Sequence, residues 1–306
     1  MIRLDKTRPI EWAALLGLAV LAALTMRQCY TIGTLERDLA SATQQAAGLS
    51  LALDSTRAAL RTQQLAVTEA APLIAPLDRM LLNGEPVDGV ASARLTFEGK
   101  SFVAFSVDLR KHNLRSFTRA GSGVLLSALP PDSTGSELLF ATNGGIFEPD
   151  YTPTGLYVEG GRELYPLNIQ SGSGNFYLKP NGVLHLSGDT AAVRTTEAYA
   201  AGSYRPDFAL QSGPMLLIDG DLHPAIRAAS PNFKLRSGVG VRDAHTLVFV
   251  ISEGDVRFYQ LAMVFKELLG CRDALYLDGV ISEMYVRGLH EPTGGRSFAH
   301  LLTVYR

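Results

Sequence analysis

Apolar and polar positions alternate along this chain in three different textures. The first is an unbroken apolar run, WAALLGLAVLAALTM from Trp12 to Met26, with no charge until Arg27 and with Arg3, Lys6 and Arg8 ahead of it. It is a little short for a bilayer span of about twenty residues, but Ile10 and the flanks lengthen it. Basic residues on its leading side place the N-terminus in the cytoplasm and the bulk of the chain outside. Residues 1–30 are therefore expected to be a cytoplasmic tip and an uncleaved signal anchor. A cleaved export signal, with Ala22-Ala23 near the cut, is the alternative.

The second texture runs from about 31 to 70, is rich in Ala, Leu, Gln and Arg, and has no proline. Leu35, Leu39, Ala42, Ala46, Leu49, Leu53, Ala59, Leu60 and Val67 form an approximate helical stripe. The heptads are imperfect, so a weak coiled coil joining copies of the chain and a plain stalk both fit. Forty helical residues would reach roughly 60 Å. Pro72 and Pro76 end the pattern, which puts the stalk and linker at 31–77 and a domain at 78–306.

The third texture begins near Leu95. RLTFEGKSFVAFSVDL, ELLFATNGG, NFYLKPNGVLHL, PMLLIDGDLH and HTLVFVISEGDVRFY read as strands closed by Gly, Asn, Asp or Pro turns. Asn181-Gly182 and Asp219-Gly220 are hairpin signals. One helix stands out, FYQLAMVFKELLG from Phe258 to Gly270, closed by its glycine. With the strands on either side it predicts a crossover unit over 246–278. The expected fold is mixed α/β (α+β): a strand-rich domain with few helices, behind a transmembrane helix and a helical stalk.

Composition changes this picture little. The 306 residues are 46% hydrophobic and 19% charged, with a net charge of -2, which argues against a nucleic-acid surface. The two cysteines, Cys29 and Cys271, lie in different segments and predict no disulfide framework. No phosphate-binding loop, HExxH or Cys-x-x-Cys motif is present, and the six histidines lack metal-ligand spacing. GVGV at 238–241 is not followed by a helix, and no Gly-x-Ser-x-Gly elbow occurs.

What remains is a set of polar residues at strand ends: Asn143-Gly144-Gly145 with Glu148 and Asp150 beyond, Gln211-Ser212, Arg236, Glu253, and Asp278-Gly279 with Ser282. Each is ordinary turn chemistry by itself. Together they have the construction of an α/β pocket, in which glycine turns set polar groups outside strand ends. Asp278 is pointed, because a carboxyl at the end of the apolar run ALYL is costly unless something holds it.

At these residues the chain resembles the phosphodiester glycosidase family, the domain of the lysosomal uncovering enzyme and of a bacterial envelope branch. The matching stations run in the family's order. They are Asn143 to Phe147, Gly155, Gln211 to Pro214, Arg236 to Gly240, the helix end Leu269-Gly270-Cys271, and Ala274 to Gly279. Val280-Ile281 departs from the family's glycine-rich continuation. The resemblance implies hydrolysis of a sugar from an envelope sugar-phosphodiester by a membrane-bound protein whose main domain faces a bacterial periplasm. On that view Asp278 is the key carboxylate and Glu253 or Glu148 a second one. Arg236 clamps the phosphate, and Asn143, Gly144, Gly145, Gln211, Ser212, Gly279 and Ser282 line the substrate. The sequence leaves the cofactor open, and Asp278 with Glu148 or Asp150 could hold a divalent cation.

Overall fold

The computed structural model describes residues 9–70, 89–119, 122–129 and 135–306. The chain divides into two compact units, Met1–Leu73 and Ile74–Arg306. The basic tip and the Pro72/Pro76 linker lie outside the described residues.

The first unit is one helix, α1 (Pro9–Ala70), in which the expected anchor and stalk run on without a break. Within it, Leu16–Ala46 is long and apolar enough to cross a membrane, as a signal anchor or a signal sequence would be. Thr25, Thr31 and Thr43 return their hydroxyls to the carbonyls of Leu21, Arg27 and Leu39, one turn back. That satisfies the hydroxyl inside the helix and lets a polar residue sit in an apolar stretch.

The second unit is built mainly of short strands. The first group is β1 (Val90–Phe97), β2 (Lys100–Asp108), β3 (Leu114–Thr118), β4 (Val124–Leu125), β5 (Leu138–Asn143), β6 (Tyr157–Glu159) and β7 (Arg162–Tyr165). Next come β8 (Gly182–Ser187), β9 (Thr190–Thr195), α2 (Thr196–Ala201), β10 (Phe208–Ser212), β11 (Met215–Ile218) and β12 (Asp221–Leu222). Last are β13 (Ser237–Asp243), β14 (Thr246–Ser252), α3 (Phe258–Met263), β15 (Asp273–Tyr276), β16 (Met284–Val286), β17 (Ser297–Phe298) and β18 (His300–Tyr305).

They form a seven-stranded sheet in the order β1-β2-β14-β13-β15-β11-β12, a five-stranded sheet β7-β6-β10-β8-β9, a four-stranded sheet β16-β5-β18-β3, and the pair β17-β4. Two hairpins follow from local chemistry. Glu98-Gly99 and Asp219-Gly220 all take positive φ, the geometry that joins antiparallel strands in two residues. The Asn181-Gly182 hairpin is not formed. Asn175–Tyr177 is a 3-10 turn rather than a strand, and Gly182 opens β8, where a Cβ would lie 2.2 Å from Met215 Sδ. Close packing at a strand start, not a turn, requires that glycine.

β14 and β15 both run antiparallel to β13, which lies between them. They are thus parallel to each other and joined through α3, the crossover expected at 246–278. The predicted helix is α-helical to Met263 and then widens into a π turn over Val264–Leu268, ending at Gly270 with φ 65°. The wider turn brings the successive residues Val264 and Phe265 to the buried face together.

One core fills the space shared by the three large sheets, with Phe105, Phe140, Leu210, Phe249 and Leu302 among its members. A second lies between the seven-stranded sheet and α3. β14 is covered on both faces, which is why TLVFVIS is nearly continuously apolar.

Candidate active site

β13 starts where β15 ends, because the two are antiparallel neighbours. The ends of β5 and β10 arrive at the same place, so Asn143, Ser212, Arg236 and Asp278 are brought together. Ser237 is the junction. Its N–H donates to the Asp278 carbonyl at 3.0 Å, and its Oγ lies 2.8 Å from Ser282 Oγ and 3.5 Å from Asn143 Nδ2. Ser212 Oγ donates to the Leu277 carbonyl at 2.9 Å and accepts from Ile146 N–H at 3.3 Å.

Most of the polar groups here are occupied within the protein. Asn143 Nδ2 donates to the Gly144 carbonyl and Oδ1 accepts from Glu283 N–H. The Gly144 amide donates to the His300 carbonyl and the Gly145 amide to His300 Nε2. Gln211 spends its whole amide on Leu156, Asn168 and Thr196. Ser282 is buried under the turn that its own N–H closes to the Gly279 carbonyl. Asn143, Gly144, Gly145, Ser212 and Ser282, expected to line the substrate, here hydrogen-bond to the backbone and side chains around Asp278, and Gln211 ties Leu156, Asn168 and Thr196 together. A Cβ on Gly144 would lie 1.9 Å from His300 Nε2, so glycine is needed there for the contact itself.

Arg236, expected to clamp the phosphate, is held within the protein over most of its guanidinium. Arg236 is fully buried. Its Nε donates to the Val256 carbonyl at 3.0 Å and its Nη2 to the Asn232 carbonyl at 3.1 Å, while its Cζ sits 3.6 Å from the centre of the Phe258 ring. Gripping phosphate with two parallel bonds needs a free edge of the guanidinium, and only Nη1 is without a partner among the described residues. Its charge reaches the site indirectly. Burial lowers its pKa, and the Tyr276 phenol beside it acts against that.

Asp278 is the half-buried titratable group where these strand ends meet. Burial raises its pKa to about 6, although Oδ1 accepts from Gly279 N–H at 2.6 Å. Tyr276, two residues earlier, projects on the same side by the period of the strand. Its hydroxyl stays neutral, since burial and the Asp278 charge both raise its pKa. A Cβ on Gly279 would meet the Tyr276 Oη at 2.4 Å, so that glycine makes room for the hydroxyl beside the carboxyl. The exposed Asn175 completes the rim, its Nδ2 lying 3.5 Å from Tyr276 Oη.

Glu253 is engaged by Arg94 at 2.9 Å, with His290 Nδ1 at 3.8 Å. Glu148 is exposed in the turn its N–H closes with Thr152. Asp150 Oδ1 is taken by Thr152, and among the described residues no three His, Cys, Asp or Glu side chains are grouped to hold a metal ion.

Sequence reasoning missed Tyr276, Ser237, Asn175, His300 and Glu283. Tyr276 was legible from its two-residue spacing to Asp278. His300 and Glu283, both buried, come from the far end of the chain and carried no local signal.

A half-buried carboxyl framed by converging strand ends and flanked by a neutral phenol suits hydrolysis at a charged centre. The profile of the phosphodiester glycosidase family matches residues 136–305, and the chain belongs to that family. It is 36% identical over 184 residues to the uncharacterized protein YigE of Escherichia coli (strain K12), an alignment covering 60% of this chain and 72% of that one. The fold is also similar to the catalytic domain of zebrafish N-acetylglucosamine-1-phosphodiester alpha-N-acetylglucosaminidase auto-inhibited by its pro-peptide. That match has a TM-score of 0.51 and 15% identity, over 71% of this chain and 82% of the other.

Proposed function

We propose that the domain hydrolyses a sugar-phosphodiester of an envelope glycoconjugate, with Asp278 as its essential carboxylate. What supports this is the place of Asp278, half-buried where the ends of four strands meet, where burial raises its pKa to about 6. Near neutral pH such a group is ionised yet poorly solvated, and it favours positive charge developing beside it.

The bond between the anomeric carbon and the phosphate oxygen breaks, and its electron pair leaves with the phosphate. The Asp278 carboxylate stabilises the cationic sugar ring or bonds to it, and water supplies the oxygen of the released sugar. A phosphate monoester is a good leaving group, so a second carboxyl acid is not required. The Tyr276 hydroxyl and the Asn175 amide orient the ester, and Arg236 adds a buried positive charge behind them. The α1 helix holds the chain to the membrane with the domain on the outer side, and its exposed leucines pair copies of the chain.

The test is release of reducing sugar from a panel of sugar 1-phosphodiesters by the full chain in nanodiscs. Turnover by the parent and none by Asp278→Asn, with the fold intact, is the expected result. Undiminished turnover by the variant removes the proposal. A second reading, a phosphosugar-binding module without turnover, draws on Val280-Ile281 and on the occupied Gly144 and Gly145 amides. Binding without sugar release by the parent protein would favour it.

A further inference from the structure

The chain comes back to the Asp278 turn at Arg296. Arg296 Nη1 donates to the Val280 carbonyl, and Val280 lies two residues beyond Asp278, a span of at most about 7 Å. The turn is tight, because the Ser282 N–H closes on the Gly279 carbonyl at 2.7 Å. Val280 stands at its tip, 55% exposed. The exposed Arg296 guanidinium therefore rests against the outside of the turn that Asp278 leads into. Among the described residues, Nη1 is the one guanidinium nitrogen of Arg296 with a hydrogen-bond partner. Nε and Nη2, the paired edge of the fork, stay open.

The local structure puts Arg296 there. Gly294 and Gly295 take φ 85° and 88°, two left-handed residues in succession that turn the chain just ahead of it. Ser297, the next residue, is fixed in β17 by its pairing with Leu125 of β4. Glu283 is buried, and burial raises its pKa, while Arg296, the Gly294 amide and the Thr293 hydroxyl act in the opposite sense. The Glu283 N–H donates to Asn143 Oδ1 at 3.1 Å, and its carbonyl accepts from the Asn143 N–H at 3.3 Å. One residue thus joins the loop that carries Arg296 to the strand end beside Asp278.

We propose that Arg296 binds the phosphate of the substrate beside Asp278, the part that the enclosed Arg236 cannot play. This rests on the phosphodiesterase reading of Asp278 for its purpose, but not for the binding itself. A phosphodiester carries two unesterified oxygens that share one negative charge. The Nε and Nη2 edge offers two parallel N–H donors at the matching spacing, which an ammonium group cannot. An anionic ester next to an ionised carboxyl is repelled, and a cation at the turn offsets that repulsion. Asp278 has its pKa raised by burial with no cation among the causes, so the guanidinium is not spent on the carboxyl and is available to the ester. Selection by Arg296 is selection by charge: it favours sugar 1-phosphodiesters over uncharged glycosides.

Calorimetric binding of glucose 1-phosphate and of glucose to the full chain in nanodiscs tests this. Glucose 1-phosphate should bind about tenfold more tightly than glucose. Arg296→Ala should remove that advantage with the melting temperature held, and Arg296→Lys, which keeps the charge but not the fork, should recover part of it. Asp278→Asn should retain the binding. With a phosphodiester that the parent turns over, Arg296→Ala should raise KM about tenfold and leave the acid limb near pH 6 in place. The inference is overturned if the parent does not prefer glucose 1-phosphate or if Arg296→Ala binds it as the parent does. It is also overturned if Arg272→Ala, which removes an exposed arginine engaged by Asp219, weakens it equally. Turnover surviving in Asp278→Asn would bear on the proposed reaction alone, so the two claims fail separately.

Discussion

At the scale of single residues, Asp278 and its neighbours make opposite demands on stability and chemistry. Burial raises the Asp278 pKa from 3.8 to about 6. The folded state therefore favours the protonated form. The stability this contributes is complete below about pH 4 and is lost as the pH rises through about 6. Asp278→Asn should accordingly stabilise the protein at neutral pH, by roughly 3 kcal/mol at most, with the gain disappearing near pH 4. Denaturant melts of parent and variant at the two pH values check this. Arg236 differs, because its guanidinium holds backbone carbonyls and a ring. Arg236→Ala should cost about 2–5 kcal/mol and lower the melting temperature. An unchanged melting temperature with a raised KM would instead restore the phosphate clamp. Tyr276→Phe keeps the ring and removes the hydroxyl that Asn175 meets, so steady-state kinetics should show a lower kcat and a thermal melt little change in fold.

At the scale of elements, strand ends were more legible than what they do. Asn143, Ser212, Arg236 and Asp278 each follow or precede an apolar run, and in the structure the four ends meet. Their roles were not legible, because a role depends on which hydrogen bonds are already spent. Gln211 has the ordinary chemistry of a substrate contact, yet its amide closes on Leu156, Asn168 and Thr196. Gly182 failed as a hairpin signal for a related reason: the sequence shows the glycine, but not the Met215 sulfur that excludes a side chain. Gly144→Ala tests the framing role. With His300 Nε2 at 1.9 Å from the new Cβ, the Gly145–His300 bond must break, and unfolding should become easier by about 1–3 kcal/mol. A chemical melt unaffected by the substitution would show that the turn tolerates displacement. His300 is neutral in this contact, since burial lowers its pKa to about 4. Its contribution to stability is present above its unfolded pKa and is lost as the pH falls from about 6.5 towards 4, opposite in sense to that of Asp278.

At the scale of the whole molecule, the three textures of the sequence were legible as a long helix and a strand-rich unit. The division into three large sheets was not, because strands as short as β6 and β16 gain their identity only from pairing with distant partners. The exposed Cys29 offers a test of orientation. If the N-terminus lies in the cytoplasm, a membrane-impermeant maleimide added to spheroplasts should label Cys29, and the buried Cys271, whose thiol pKa is pushed up to about 12, should stay unlabelled until the protein is denatured. Labelling of Cys29 only after lysis would reverse the orientation. The reaction itself is tested most directly by the pH dependence of kcat/KM for sugar release from a phosphodiester that the parent turns over. The account predicts activity that rises through a single acid limb near pH 6 and falls to background at every pH in Asp278→Asn. A profile without that limb, or a limb that survives in the variant, would contradict it.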